Sequence, residues 1–230
     1  MINEKLSKRL SSVADFVPEN ARLLDVGSDH AYLPINLVSS GKITFAIAGE
    51  VVEGPFNSAC ENVAQSNLTD KIRVRLANGL AAFEPSDKID TITISGMGGH
   101  LIADILANGI EKLDKVSTLI LQANNGEYYL RKWLIKHNFK ISAEKILSEN
   151  EKIYEILVVH HGNASELTED ELNFGPFLLK EKNDVFQKKW QSEEKAVSKI
   201  LENLPETAEQ KRQEFSAKLA KIKEILNVSA

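Results

Sequence analysis

The chain has 230 residues, 43% of them hydrophobic, and a formal net charge of −5. That is enough for one α/β domain of ordinary size plus an appendage, and the acidic balance speaks against a protein that coats nucleic acid over its whole surface. Its one cysteine, Cys60, excludes an internal disulfide and a cysteine-built metal site, and no apolar stretch approaches the roughly 20 residues of a membrane span.

The first fifteen residues alternate charged and apolar positions. With no continuous apolar run, no secretory signal is expected, and the protein reads as soluble and cytoplasmic. Asn3 to Phe16 is expected as a helix, with Leu6, Leu10, Val13 and Val17 on one face. Lys5, Lys8 and Arg9 lie off that stripe, as a solvated basic side or as an RNA contact. Arg22 to Val26 is a short apolar run that reads as a buried strand. Asp25 and Gly27 end it, Ser28, Asp29 and His30 form a polar turn, and a helical pattern begins at about Ala31. Strand, glycine-bearing turn and helix in that order open the ligand crevice of a Rossmann-type sheet. The acidity of the turn is informative. Asp25 and Asp29 would repel a pyrophosphate, whereas a ligand with an ammonium group and ribose hydroxyls suits them.

Ile43 to Glu50 reads as a second buried strand ending in a carboxylate. Glu50 stands 23 residues after Gly27, the place where nucleotide-binding sheets hold ribose hydroxyls. Phe56, Cys60 and Val63 form the inner face of the next helix, with Cys60 as a core residue. Lys71 to Ala77 alternates apolar and basic residues, as a half-buried edge strand does. Asn78-Gly79 follows, a turn signal that can also set an amide beside a purine. Asp90 to Ser95 is the fourth strand, and Gly96-Met97-Gly98-Gly99 lets the backbone approach a ligand. Ser117 to Gln122 is the fifth strand, ending in Ala123-Asn124-Asn125-Gly126, and the next helix turns Leu130, Trp133 and Leu134 inward. Phe139 to Glu149 and Lys152 to His161 read as a terminal hairpin. Strands joined by helical crossovers imply a parallel, doubly wound sheet, closed by the antiparallel pair.

The segment after Gly162 differs in kind. Phe186, Trp190, Val197, Leu201 and Leu204 step at helical spacing, Pro205 interrupts, and Phe215, Leu219, Ile222 and Leu226 resume it. Two amphipathic helices in an antiparallel hairpin are expected. From Lys180 onward there are 11 basic and 9 acidic residues, against 17 and 24 in the remainder. The basic side chains include Lys188, Lys189, Lys195, Lys211 and Arg212. A solvated helical surface, an RNA-binding arm and a dimerisation element all fit this pattern.

The motifs DVGSDHAYLP, AGE, SGMGG, QANN and ENEKIYEI, in that order, resemble the bacterial tRNA (adenine-22-N1)-methyltransferases, the TrmK family. The resemblance spans residues 3 to 162 and extends to the helical tail, which looks like that family's coiled-coil domain. One departure is Ala123, where the family more often has proline. The resemblance implies an α/β class I (Rossmann-like) S-adenosylmethionine-dependent methyltransferase domain over residues 1–162. It implies a C-terminal α-helical coiled-coil domain over 163–230. It implies S-adenosylmethionine as cofactor, tRNA as partner, and methyl transfer to N1 of an adenine in the D-arm. Carried onto this chain, Asp25, Gly27, Ser28 and Asp29 line the methionine end of the cofactor, and His30 would bond the cofactor, contact the base or cap the turn. Glu50 holds the ribose, Val51, Asn78 and Gly79 flank its adenine, and Gly96 and Met97 close the site.

Asp29 and Asn124 are the candidate catalytic residues. Asp29 would stabilise the cation formed on the base, or would cap the following helix. Ser95, Gln122 and Asn124 would bond the target adenine, or would satisfy backbone groups at strand ends. The histidines show no ligand spacing, so no metal is expected. Lys5, Lys8, Arg9 and the tail cations are the expected tRNA grip, and a monomer is the expected state. Two other readings use the same sheet. A nicotinamide-dependent oxidoreductase would also use Glu50 but lacks its GxGxxG turn here. A non-enzymatic RNA-binding or coiled-coil interaction protein would carry a degraded crevice.

Overall fold

The structure is a computed structural model that describes residues 6–162 and 166–227; Lys5 lies outside the described residues. Helix α1 (Lys8–Phe16) leads into β1 (Arg22–Val26), α2 (Tyr32–Ser39), β2 (Phe45–Glu50), α3 (Glu53–Gln65) and β3 (Ile72–Leu76). The second half adds β4 (Thr91–Met97), α4 (Gly99–Ala107), β5 (Thr118–Ala123), α5 (Glu127–Lys136), β6 (Phe139–Glu149) and β7 (Lys152–His161). The strands form one sheet in the order β3-β2-β1-β4-β5-β7-β6. The first five are parallel, and β7 runs antiparallel to both β5 and β6. This is the doubly wound arrangement that the alternation of strand and helix predicts, with the hairpin at the expected edge.

Period-two alternation in the central strands feeds two cores. Leu24, Ile47, Ile92 and Ile94 face α4 and α5 through Ile102, Leu106, Leu130 and Leu134. Leu23, Ala46, Ala48 and Ile120 face α1, α2 and α3 through Val13, Leu33, Leu37, Ala59 and Val63. Helix α3 is rotated from the expected face: Ala59 and Val63 are buried, while Phe56 and Cys60 are only half-buried. Cys60 therefore sits at the margin of the core. Edge strand β3 owes its basic alternation to a specific partner. Arg73 and Arg75, on one face of the strand, both pair with Asp87 at 2.6–3.1 Å. Those charges also leave this sheet edge poorly suited to adding a strand from another chain.

The tail forms α6 (Glu169–Phe174), α7 (Leu178–Glu181), α8 (Asp184–Asn203) and α9 (Glu209–Asn227). Helices α8 and α9 pair through Phe186, Trp190, Val197 and Ile222, and this cluster also takes in Ile146 of β6 and Ile153 of β7. Beneath it lies a buried charge network. Arg131 of α5, 0% exposed, donates to Glu144 and Glu155 of the two hairpin strands at 2.8 and 2.5 Å. Lys189 of α8 donates to Glu155 at 2.7 Å and to Glu127 at 3.1 Å. Burial pushes the Glu155 carboxyl up, but the Arg131 and Lys189 charges outweigh it and hold it below the usual range.

Candidate active site

The sheet's strand order reverses between β1 and β4, so a crevice opens over their carboxyl ends. Asp25 lies beneath it, buried, with Ser28 Oγ and Thr93 Oγ1 each donating to its carboxylate at 2.6 Å. Burial pushes that carboxyl up, and the two hydroxyls offset the shift only in part. Thr93 was not singled out from the sequence. Its signal was a hydroxyl inside the apolar run of β4, at the position that pairs with Asp25.

The turn above Asp25 is strained. Gly27 has φ +65°, and a Cβ there would collide with the Met97 methyl. The Gly27 and Ser28 amides both donate to Gly49 O, at 2.9 and 3.2 Å, which ties the ends of β1 and β2 together. Asp29, His30 and Ala31 then take φ of 45°, 68° and 62°, a run of non-glycine residues in the left-handed region. Each such residue costs on the order of 1 kcal/mol. Asn62 Nδ2 holds the turn by donating to His30 O at 3.0 Å. The cap position of α2 is Ala31, with no side-chain cap bond, so Asp29 is not the helix cap. Its side chain is 84% exposed at the crevice rim, 3.4 Å from His30 Nε2.

Glu50 ends β2. It is 5% exposed, and its Oε1 is buried with no hydrogen-bond partner. Burial pushes its carboxyl up, and the Asp29 backbone amide offsets this only in part. A buried carboxylate oxygen without a donor is costly unless a ligand supplies one. Beside it, Val51 is 61% exposed. Val51, Leu76, Ala77 and Asn78 line a recess of about 420 Å³ that suits a flat heterocycle. Gly79, at φ +54°, turns the chain directly after Asn78. The donor-hungry carboxylate, the recess beside it and the acidic turn fit a nucleoside carrying an ammonium group.

A model of the TrmK family, described as tRNA (adenine(22)-N(1))-methyltransferase, matches residues 23–224. The chain belongs to that family. A Bacillus subtilis (strain 168) protein named tRNA (adenine(22)-N(1))-methyltransferase is 42% identical over 234 residues, covering 97% of this chain and 98% of the relative. Among solved structures, a Streptococcus pneumoniae putative tRNA (m1A22) methyltransferase in complex with S-adenosyl-L-methionine superposes with a TM-score of 0.91. It is 54% identical and covers 97% of this chain and 100% of its own. Mycoplasma capricolum TrmK in complex with S-adenosyl-homocysteine gives a TM-score of 0.87 at 31% identity, over 98% of this chain and 99% of its own.

On the far side of the crevice, this TrmK-family chain departs from its expected outline. Gly96 and Met97 belong to β4 and not to the loop after it, with a register shift between Ser95 and Met97 against β5. Gly96 takes φ +80°, as the extra residue of such a bulge often does. Ser95 Oγ is buried without a partner. Gln122 is fully buried: its Oε1 accepts from Gly96 N at 3.0 Å and from Arg9 Nη1 at 2.7 Å. Its Nε2 donates to Asn124 Oδ1 at 3.1 Å, and Asn124 Nδ2 donates to Gly96 O at 2.7 Å. Gln122 and Asn124 therefore do satisfy strand-end backbone groups, while Asn124 itself stays exposed.

The expected basic grip divides in two. Arg9 turns inward onto Gln122, Lys189 is held by Glu127 and Glu155, and Arg212 Nη1 donates to the Leu201 and Leu204 carbonyls at the end of α8. These three are engaged by groups of the protein itself. Lys8 is exposed, with Nζ 3.2 Å from Ser148 O, and Lys188, Lys195 and Lys211 are exposed on the helical tail. Among the described residues, no group of three or more His, Cys, Asp or Glu is placed to hold a metal ion. Nor is any described helix long and apolar enough to cross a membrane.

Proposed function

We propose that this protein transfers a methyl group from S-adenosylmethionine to N1 of adenine 22 in tRNA. The observation that carries this reading is the orphaned Glu50 carboxylate beside an open recess of mixed polarity, in a chain matched along nearly its whole length by the TrmK family. The nicotinamide alternative gains nothing from the crevice, whose first turn is acidic. The non-enzymatic alternative gains nothing either, since the crevice residues are intact.

The residues divide the work as follows. Glu50 accepts from the ribose hydroxyls, and Val51 and Asn78 line the recess for the cofactor's adenine, with Gly79 turning the chain after Asn78. Asp25, Gly27, Ser28, Asp29 and His30 shape the acidic turn at its methionine end, with Gly96 and Met97 on the opposite wall. S-adenosylmethionine supplies an electrophilic methyl on a cationic sulfur. Adenine N1 carries its own lone pair, so no base is needed to create the nucleophile. The protein's task is to hold that nitrogen in line and at near-attack distance. As positive charge passes to the base, the exposed carboxylate of Asp29 stabilises it, and Asn124 bonds the base edge.

Residues 1–162 form the methyltransferase domain, and 163–230 form a helical coiled-coil domain that grips the tRNA backbone. Lys8, Lys188, Lys195 and Lys211 are the exposed cations that support this assignment, with Lys5 as a further candidate. The protein acts in the cytoplasm as a monomer. The test is to incubate it with labelled S-adenosylmethionine and transcribed tRNA and to map the product. One methyl on the adenine at position 22, as 1-methyladenosine, is expected. Label at another nucleoside, or none with cofactor bound, overturns the reading.

A further inference from the structure

The inward turn of Arg9 has a chemical consequence for the base that is methylated. Helix α1 begins where Glu149 accepts from the backbone amides of Lys8 and Arg9, at 2.6 and 3.1 Å. This anchors the helix to the hairpin and aims Arg9 across the sheet. Its guanidinium lies over the Tyr154 ring, 5.6 Å from the centroid, and ends on Gln122 Oε1 at 2.7 Å. A guanidinium has donors only, so it settles which end of the Gln122 amide faces it. Gly96 N donates to the same oxygen at 3.0 Å. The Gln122 nitrogen must then point at Asn124, which turns Asn124 Oδ1 toward Gln122 and Asn124 Nδ2 toward Gly96 O. Arg9, as the charged and shorter donor, and the Gly96 backbone together set the direction of a relay that ends on an exposed amide beside the crevice.

We propose that Arg9 is a positioning residue that, through Gln122, fixes Asn124 so that its second oxygen lone pair accepts from the exocyclic amine of the target adenine. This rests on the function proposed above. The amine sits on the carbon next to N1, so an acceptor at Asn124 both orients N1 and selects against a base with an oxygen there. Guanine fails on both counts, since it carries a proton at N1 and an acceptor in place of the amine. An amide whose direction is locked through a buried neighbour discriminates more sharply than one free to flip.

The test compares two tRNA substrates, one with adenine and one with purine at position 22, the purine lacking only the exocyclic amine. Wild-type protein, Arg9→Met and Arg9→Lys are run in single turnover. S-adenosylmethionine affinity is measured by calorimetry, to show that each variant is folded and cofactor-competent. Wild type should methylate adenine about tenfold faster than purine, the worth of one buried hydrogen bond. Arg9→Met should lose most of its rate on adenine and little on purine, so that the ratio falls toward one. Arg9→Lys, which keeps a charged donor, should restore part of the ratio. An equal loss on both substrates makes Arg9 merely structural and overturns the proposal. A weaker tRNA affinity with an unchanged rate constant makes it a phosphate contact and also overturns it. If wild type methylates neither tRNA at position 22, the function proposed above fails, which is a different result.

Discussion

At the level of single residues, Glu50 carries the most definite consequence. In the free protein, burial raises its carboxyl above the ordinary carboxylate value, so it keeps its proton to a higher pH. Ribose hydroxyls donate to the ionised form and favour it. Cofactor binding then releases a proton near and below the raised pKa, and affinity falls as pH drops through it, whereas well above it affinity is flat. Calorimetry from about pH 5 to about pH 8 should show this slope, and Glu50→Gln should abolish it. The substitution should also weaken binding by roughly ten- to a hundredfold, the range for a hydrogen bond to a charged acceptor. Asp29 makes a separate prediction. Its side chain neither caps α2 nor is buried, so the cost of Asp29→Ala is that of an alanine at φ 45°, and the melting temperature should fall by no more than about 2 °C. It should slow single-turnover methylation of bound tRNA by about tenfold or more. An unchanged rate would take Asp29 out of the chemistry. Both residues were legible in the sequence because each sits next to a strand end at a short offset from a glycine, Glu50 as the last residue of β2 and Asp29 in the turn after β1. Thr93 was not, and Arg9 was read only as a solvated cation or an RNA contact, because what defines them is the neighbour that folding brings: Asp25 across the sheet for one, Gln122 for the other.

Among the elements, the strands were read from short apolar runs and, at the edge, from alternation, and the hairpin's limits match those expected, Phe139–Glu149 and Lys152–His161. A local pattern suffices there because a turn joins adjacent antiparallel strands. Strand β4 runs on to Met97 because its bulge absorbs Gly96, and glycine looks like a loop residue in any local reading. Arg131 illustrates the same limit on a helix. It falls between Leu130 and Trp133 on an amphipathic pattern, where a charged residue reads as solvated. The carboxylates that bury it come from both hairpin strands, and the Leu172 carbonyl of α6 closes over it. Lys189 completes that network from α8 and touches Glu127, the first residue of α5 after the Asn124 loop. Lys189→Met would leave the single buried Arg131 to serve two carboxylates. The loss should be about 2 kcal/mol, below the usual cost of breaking a buried pair because Lys189 is itself partly solvated. Melting should fall by roughly 4–8 °C for a chain of this length, and Lys189→Arg should recover much of it. Scanning calorimetry that finds no shift would mean that the arm is held by its apolar contacts alone.

For the whole molecule, the question is how a chain of net charge −5 holds an anionic partner. Simple removal of the helical tail would not answer it, because Ile146 and Ile153 of the hairpin are packed by that tail and Glu155 takes a charge from it. A truncated chain would expose an apolar patch and a half-paired network, and weakened binding would then report on folding. Charge reversal on the surface avoids this. Lys188, Lys195 and Lys211 are exposed and belong to neither the Arg131 network nor the crevice. The triple change to Glu should leave cofactor affinity and melting temperature unaltered. It should weaken tRNA binding by tenfold or more at low salt, on the scale of about 1 kcal/mol for each phosphate left without its cation. The slope of log affinity against log salt should become shallower by roughly two to three, since each phosphate no longer neutralised keeps about one counterion. A variant that binds tRNA with the wild-type slope would move the interface off the tail. The remaining grip would then fall to the side of the sheet where Lys8 is exposed, and the expected division of labour between a catalytic sheet and a binding arm would have to be abandoned.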